Sequence, residues 1–158
     1  MPRLAIPNPS ATLLLLMLAA CAGPDYRAVP DASIATSSGV VSAEAGPEGA
    51  MRYRDIPFAK PPVAERRWAA PEPLRAPESL ITPLPDMVMC PQPQSMASGG
   101  ADGANFGSED CLYLDVYTPG AVASKVPLPV MLWIHGGSNL TGHKGTYDFS
   151  RLAAREQV

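Results

Sequence analysis

A continuously apolar run that ends in two glycines is the feature that most limits how this chain can fold. Residues 129–134 contain no polar side chain and lead through one histidine into Gly136-Gly137. Such a run predicts a strand buried on both faces. A doubly buried strand needs helices on both sides of its sheet, which indicates an α/β fold. One candidate helix, 149–157 with Asp148 as its N-cap, is present, so we expect further cover from residues after Val158.

Other strands are predicted from alternation of apolar and polar residues. Segments 39–43 and 50–54 could pair as a hairpin around a Gly-Pro-Glu-Gly turn at 46–49. Segment 112–117 alternates cleanly and predicts a half-buried strand. The long proline-rich stretch 57–108 is interpreted as surface loop wrapped on a core supplied elsewhere, which suggests a domain that extends well beyond this chain.

The first residues have the pattern of an export signal. A basic start at Arg3 precedes an apolar run over 12–20, which is too short to span a bilayer. We interpret 1–20 as a signal peptide, 21–38 as a flexible tether and 39–158 as the start of the folded domain. Leu-Ala-Ala-Cys ending at Cys21 resembles the bacterial lipobox, in which the cysteine carries the lipid; two acyl chains already anchor a protein stably. An ordinary signal peptide with an incidental cysteine, or a buried helix, is the alternative.

Charge and cysteine content exclude some classes of partner. The net charge is −3 with 12 Lys and Arg residues, so no electrostatic footprint for nucleic acid is present. Export would place Cys90 and Cys111 in an oxidising compartment, where a bridge is favoured over two free thiols. No histidine or further cysteine stands at metal-ligand spacing beside them, and we expect no metal and no organic cofactor.

The Gly136-Gly137 pair is the feature that indicates a candidate role in catalysis. Glycines directly after a buried strand let the backbone turn sharply and leave space free of side chains. The N–H groups of such a turn can point at one spot, which is what an oxyanion hole in acyl transfer requires. The alternative is that the pair forms an ordinary turn and nothing more.

Several motifs, in order along the chain, resemble one family. The segment 108–119 resembles the type-B carboxylesterase and cholinesterase signature, usually written EDCLYLNVY. The family's pattern F-x-G-I-P-[YF]-A-x-P-P-V-G is similar to 53–64, its R-[FW]-x-x-P-x-P to 67–73, and its C-x-Q to 90–92. The resemblance covers about residues 39 to 158. It implies the N-terminal part of an α/β-hydrolase fold and the hydrolysis of small-molecule carboxylic esters by a serine nucleophile.

The resemblance also implies roles for individual residues. The backbone N–H groups of Gly137 and Ser138 take the positions that line the oxyanion hole, and Gly136 shapes the turn. Two further pairs, one covalent and one ionic, correspond to structural features of the family: Cys90 with Cys111 as its first disulfide, and Arg67 with Glu109 as its buried ion pair. For the ionic pair, two solvated charges are the alternative.

The sequence departs from the family pattern at four positions. Aspartate occupies position 55 where glycine is usual and position 115 where asparagine is usual, while Ala64 and Ser138 replace glycines. Only the N–H of Ser138 is required, so the hole can survive. The disulfide loop offers Phe106 as its one aromatic residue, which does not support a choline-type substrate.

The catalytic triad is not expected within these residues. No G-x-S-x-G occurs, and Ser138 does not stand in a nucleophile elbow. In this fold the order is serine, acid, histidine, so all three would follow Val158. His135 is then expected to pack under the glycine turn, and His143 to be a loop residue.

The resulting prediction is the N-terminal fragment of an exported serine esterase, a bacterial lipoprotein held on a membrane, with the outer membrane favoured. Two alternatives stay open. One is a cholinesterase-like binding or adhesion module that has lost its nucleophile. The other is a truncated gene product without function of its own, which the ending at Val158 would fit.

Overall fold

A computed structural model of the chain describes residues 24–84, 88–93, 105–120 and 127–158. Within these residues the secondary structure consists of seven strands and one α-helix, with three single 3₁₀ turns. The strands are β1 (Arg27–Thr36), β2 (Gly39–Ala45), β3 (Met51–Pro57), β4 (Leu80–Ile81), β5 (Gln92–Pro93), β6 (Asn105–Phe106) and β7 (Tyr113–Thr118); the helix α1 is Ser150–Glu156. The 3₁₀ turns are Pro47–Gly49, Ala64–Arg66 and Lys144–Thr146.

Five strands form the main sheet, in the order β1-β2-β3-β7, with β4 joined to β2 in parallel. The neighbours along that path are antiparallel. The predicted hairpin is confirmed, because β2 pairs with β3 across the 3₁₀ turn Pro47–Gly49. The described parts of the predicted loop 57–108 are mainly irregular, and β5 with β6 makes a separate two-stranded ribbon there.

The hydrophobic core is small and lies on one face of this sheet. Its buried residues are Val41, Ile56 and Ile81, and Leu114 and Val116 of β7 pack against them. The alternation that predicted the strand 112–117 is therefore confirmed, since alternate β7 side chains reach the core. The sheet positions β7 beside β3, and β7 leads to the segment that carries the glycine turn.

The predicted tether over 21–38 is wrong from Arg27 onward. Ten residues of it form β1, which pairs with β2 from Thr36↔Gly39 back to Arg27↔Ala45 with an irregularity between Ala28 and Ser33. The small and polar residues of β1 do not by themselves predict a strand. The segment forms one because the open edge of β2 supplies partners for its backbone hydrogen bonds. An edge position also tolerates the proline within β1. The folded part consequently begins well before residue 39.

The predicted doubly buried strand 129–134 is also wrong within the described residues. This segment is extended but pairs with no strand there, and its apolar side chains face solvent: Val130 is 95% exposed and Leu132 81%. A strand requires a neighbour for its backbone hydrogen bonds, and the described part of the chain offers none. Trp133 in this segment packs against two aromatic rings.

The helix α1 is shorter than the predicted 149–157, and the predicted N-cap Asp148 is wrong, because the N-cap is Phe149 and no side chain caps the helix. The Asp148 carboxylate accepts a hydrogen bond from the Ser150 N–H at 2.9 Å, which satisfies one donor of the first turn. The helix ends at Gln157, which adopts a left-handed conformation with φ 54°. Burial by itself would raise the pKa of the Asp148 carboxyl, but hydrogen bonds from Ser150 and Tyr26, together with the charge of Arg52, lower the pKa below its ordinary 3.8.

The hydrogen bond between Asp148 and the Ser150 N–H makes a testable contribution to pH-dependent stability. Because the folded pKa of Asp148 is lowered, its contribution is complete above the unfolded value and is lost as pH falls through the folded value, below about pH 4. We expect Asp148→Ala to cost about 1 kcal/mol at pH 7 in urea unfolding, and clearly less at pH 3. Asp148→Asn, which keeps an acceptor oxygen but does not titrate, is the matched control. Equal losses for Asp148→Ala at both pH values would contradict this role.

The predicted signal peptide 1–20 and the predicted lipid site Cys21 lie outside the described residues. Among the residues that are described, no helix has the length and apolar character needed to cross a membrane.

Candidate functional site

The segment after Ile134 closes into a tight turn around one carbonyl group. The N–H groups of Leu140 and Thr141 both donate to the Gly137 carbonyl, each at 3.0 Å. Three successive residues have positive φ, with 135° at Gly137 and 57° at both Ser138 and Asn139. The backbone therefore reverses directly after the apolar run, as the sequence predicted.

Glycine is required at two positions of this turn. A Cβ at Gly137 would lie 1.7 Å from the Thr141 carbonyl oxygen, a distance that no packing adjustment can relieve. A Cβ at Gly142 would lie 2.6 Å from the Gly136 carbonyl oxygen and 2.6 Å from Nδ1 of His135. The two ends of the turn thus touch each other through bare backbone, and the His135 ring lies against Gly142.

The N–H groups of Gly137 and Ser138 are the candidate oxyanion donors. Within the described residues, neither N–H donates to an acceptor of the chain, and both residues are exposed. They are consequently available to an incoming group. Their role in an oxyanion hole stays a prediction at this point.

A buried glutamine holds the downstream end of the turn. The side-chain amide of Gln92 makes two hydrogen bonds with one residue: it accepts from the Gly142 N–H at 2.6 Å and donates to the Gly142 carbonyl at 3.0 Å. The same amide nitrogen donates to the Cys90 carbonyl at 3.1 Å. Gln92 is 7% exposed, so these two hydrogen bonds are protected from water and fix Gly142 to β5.

The predicted disulfide partners are joined in the structure. Cys90 and Cys111 form a bond with a Cα–Cα distance of 5.1 Å and a sequence separation of 21. The bridge links the residues before β7 to the strand that carries Gln92. It therefore belongs to the framework behind the turn.

The predicted ion pair forms, but it is not buried among the described residues. Nε of Arg67 lies 2.6 Å from Oε1 of Glu109, with side chains 56% and 37% exposed. The neighbouring Trp68 is almost fully exposed, because nothing in the described part of the chain covers this surface. At this exposure the pair contributes little to stability.

A buried charge cluster behind the turn was not predicted from the sequence. Nζ of Lys144 lies 2.8 Å from Oδ1 of Asp55 and 2.6 Å from Oδ1 of Asp115, and both carboxylates are under 10% exposed. The Asp115 carboxylate also accepts the Asp55 N–H at 2.9 Å, and the Asp55 carboxylate accepts the Leu84 N–H at 3.0 Å. The available signal was that both aspartates depart from the family pattern, while the lysine lies too far along the chain for spacing to associate it with them.

Aromatic side chains hold the upstream end of the turn. The Trp133 ring lies 5.4 Å from the rings of both Tyr147 and Phe149, and Tyr117 meets Phe149 edge-on at 6.0 Å. Burial, with the charge of Asp115 next, raises the pKa of Tyr117 to about 12. The phenol therefore stays neutral throughout the physiological range and acts as a packing group.

Neither histidine is arranged as a catalytic base among the described residues. Nε2 of His143 lies 3.2 Å from the Thr146 hydroxyl, in the loop that enters the third 3₁₀ turn. Burial lowers the pKa of His143 below its ordinary 6.5, and the charges of His135 and Lys144 lower it further. No group of three or more His, Cys, Asp or Glu side chains in the described residues could hold a metal ion.

The chain is similar to known esterases. The family model described as "Carboxylesterase family" matches residues 30–158. Para-nitrobenzyl esterase of Bacillus subtilis (strain 168) is 39% identical over 112 residues, covering 70% of this chain and 22% of that protein. Carboxylesterase 1D of Rattus norvegicus is 35% identical over 161 residues, covering 92% of this chain and 28% of that protein.

A solved structure titled thermophylic PNB esterase superposes on the chain with a TM-score of 0.66 and 37% identity. The match covers 80% of this chain and 26% of that one. The chain therefore spans about a quarter of the length of the relatives it matches.

Proposed function

The chain belongs to the carboxylesterase family, and from that premise we propose that its residues serve the hydrolysis of small-molecule carboxylic esters. The described residues correspond to the N-terminal strands of the α/β-hydrolase fold. Two proteins to which the chain is similar carry the names para-nitrobenzyl esterase and carboxylesterase 1D. The observation that carries the proposal within this chain is the tight glycine turn, whose Gly137 and Ser138 N–H groups donate to no acceptor among the described residues.

The proposed chemistry assigns this chain the electrostatic part of the reaction. As a serine attacks the ester carbonyl, negative charge develops on the carbonyl oxygen. Fixed N–H donors from Gly137 and Ser138 would stabilise that charge, and one such donor is worth about 3 kcal/mol of barrier. The 158 residues contain no G-x-S-x-G motif, so we propose that the nucleophile, acid and base are supplied by residues after Val158.

A chimera tests this proposal directly. Residues 30–158 replace the matching segment of the Bacillus subtilis para-nitrobenzyl esterase, and hydrolysis of p-nitrophenyl acetate is measured. We expect the chimera to turn over the ester, and residues 24–158 alone to show no turnover. A chimera that is folded by circular dichroism and gel filtration but inactive would contradict the proposal and favour a binding module.

Two substitutions in the chimera separate backbone from side-chain effects at the turn. Ser138→Gly keeps the N–H and suits the positive φ, so we expect turnover to be retained. Gly137→Ala places a methyl group against the Thr141 carbonyl, so we expect the turn to open and most turnover to be lost. Loss of turnover with Ser138→Gly would show that the Ser138 side chain, rather than its N–H, is needed.

We also propose that Cys21 carries lipid and holds the protein on a membrane. The support is the apolar run over 12–20 followed by Leu-Ala-Ala-Cys. Two or more acyl chains on one cysteine would give stable anchoring.

A further inference from the structure

The position of the glycine turn depends on its two ends, because no turn residue belongs to the hydrophobic core of the described residues. Residues 136–140 are all exposed. Upstream, the chain is held by the packing of Trp133 on two aromatic rings. Downstream, it is held first by the amide grip of Gln92 on Gly142 and then by the contacts of Lys144. What fixes these ends therefore fixes the direction of the Gly137 and Ser138 N–H groups.

The Lys144 contact joins three separate parts of the fold. Asp55 lies in β3, Asp115 lies in β7, and Lys144 begins the third 3₁₀ turn, six residues after Ser138. The ammonium group is shared between two carboxylates that are 5% and 8% exposed. Solvent screens such a contact far less than a surface pair, so it acts as a firm attachment of the loop to the sheet.

The lysine is not interchangeable with the other cation nearby. Arg54 lies 3.5 Å from the Asp55 carboxylate, so Asp55 has a second cationic partner. Asp115 has Lys144 as its one cationic partner in the described part of the chain. Removing the lysine would leave the Asp115 charge buried and uncompensated, which is costly in itself.

We propose that Lys144 is a positioning residue, whose ammonium group bridges Asp55 and Asp115 and thereby holds the Gly137 and Ser138 N–H groups in a fixed direction. The proposal rests on the proposed function, since that direction matters chemically if an ester oxygen is bound there. A positioning role differs from charge compensation in a way that can be tested. If Lys144 only neutralised the aspartates, removing the charges of Lys144 and Asp115 together would leave the turn unchanged.

Two variants of the full chain separate positioning from charge compensation. Lys144→Met leaves Asp115 unpaired, and we expect the melting temperature to fall by about 10 °C. Asp115→Asn combined with Lys144→Met removes both charges. Its asparagine can still accept the Asp55 N–H, and Asp55 keeps Arg54. We expect this double variant to recover most of the lost melting temperature and to remain folded even if Lys144→Met does not.

The deciding measurement is the backbone order of the turn by ¹⁵N relaxation. We expect order parameters of about 0.8 for the Gly137 and Ser138 N–H vectors in the parent chain, and below about 0.6 in the double variant. Val41, which is fully buried in β2, serves as the reference amide and should not change. Parent-like order of both turn amides in the stable double variant would overturn the proposal and leave Lys144 as a charge compensator.

These outcomes are independent of esterase activity. The relaxation experiment contains no ester and no nucleophile, so a failure of the chimera described above does not alter its result. Conversely, if the chimera is active but the double variant keeps an ordered turn, the proposed function stands and the positioning role is wrong.

Discussion

Removal of the disulfide between Cys90 and Cys111 is expected to lower the free energy of unfolding by about 3 kcal/mol. The bond closes a loop with a sequence separation of 21, and a cross-link of that size restricts the unfolded chain by about this amount in the loop-entropy model. The folded state is also weakened. Gln92, which hydrogen-bonds to Gly142, lies two residues from Cys90, so the bridge helps to hold that glutamine in place. The core of this sheet is small, so a loss of this size is a large fraction of its stability.

The measurement is urea unfolding of the oxidised parent and of a Cys90→Ala, Cys111→Ala double variant. Both should carry Cys21→Ser, so that no further thiol can exchange with the bridge. The parent treated with a thiol reductant is the second arm, and it should match the double variant. A difference below about 1 kcal/mol between oxidised and reduced chains would contradict the expected contribution.

Replacing Cys21 with serine is expected to move the exported protein almost entirely from the membrane fraction to the soluble fraction. Each buried methylene of a lipid chain contributes about 0.8 kcal/mol to membrane binding, so the loss of two or more chains removes the anchor. Serine has nearly the same size as cysteine but offers no thiol for lipid attachment. Ala22→Ser, one residue further along, keeps the thiol and is the matched control.

The partition is measured by sedimenting membranes from cells that express each variant and probing both fractions for the protein. Mass spectrometry of the N-terminal peptide provides a second readout, since acylation adds a defined mass to Cys21 in the parent and in the Ala22→Ser control. Equal membrane partition of the Cys21→Ser variant and the parent would show that the lipid anchor is wrong.

The elements that could be predicted from the sequence are those whose own side chains determine their pairing. The β2–β3 hairpin has a local turn, and β7 has strict alternation. Two predictions failed because they concern relations between distant segments. The sequence of β1 is weakly strand-forming and is ordered by the open edge of β2. The apolar character of 129–134 predicts burial, but side-chain character does not specify which strand must lie beside it.

In the candidate site, too, some features could be predicted from local sequence and others depend on contacts between distant segments. Local sequence was sufficient for the turn, because two glycines after an apolar run impose it. The bridge between Cys90 and Cys111 was predicted both from the inferred export and from the family resemblance, and the two residues are bonded in the structure. The Lys144 cluster could not be predicted, because its members lie in three elements between 29 and 89 residues apart. The pairing of β3 with β7 brings its two aspartates together.

The order of β1 limits how far the folded domain could lie from a lipid anchor. The Tyr26 ring, one residue before β1, packs under the Arg52 guanidinium at 3.3 Å. Four residues lie between Cys21 and Tyr26, and even a fully extended chain over the five steps from one Cα to the other spans at most about 18 Å. That reach is close to the thickness of one hydrocarbon leaflet, about 15 Å. A lipidated form would therefore be held close to the bilayer surface. It would meet molecules that partition into that surface before molecules that are dissolved far from it.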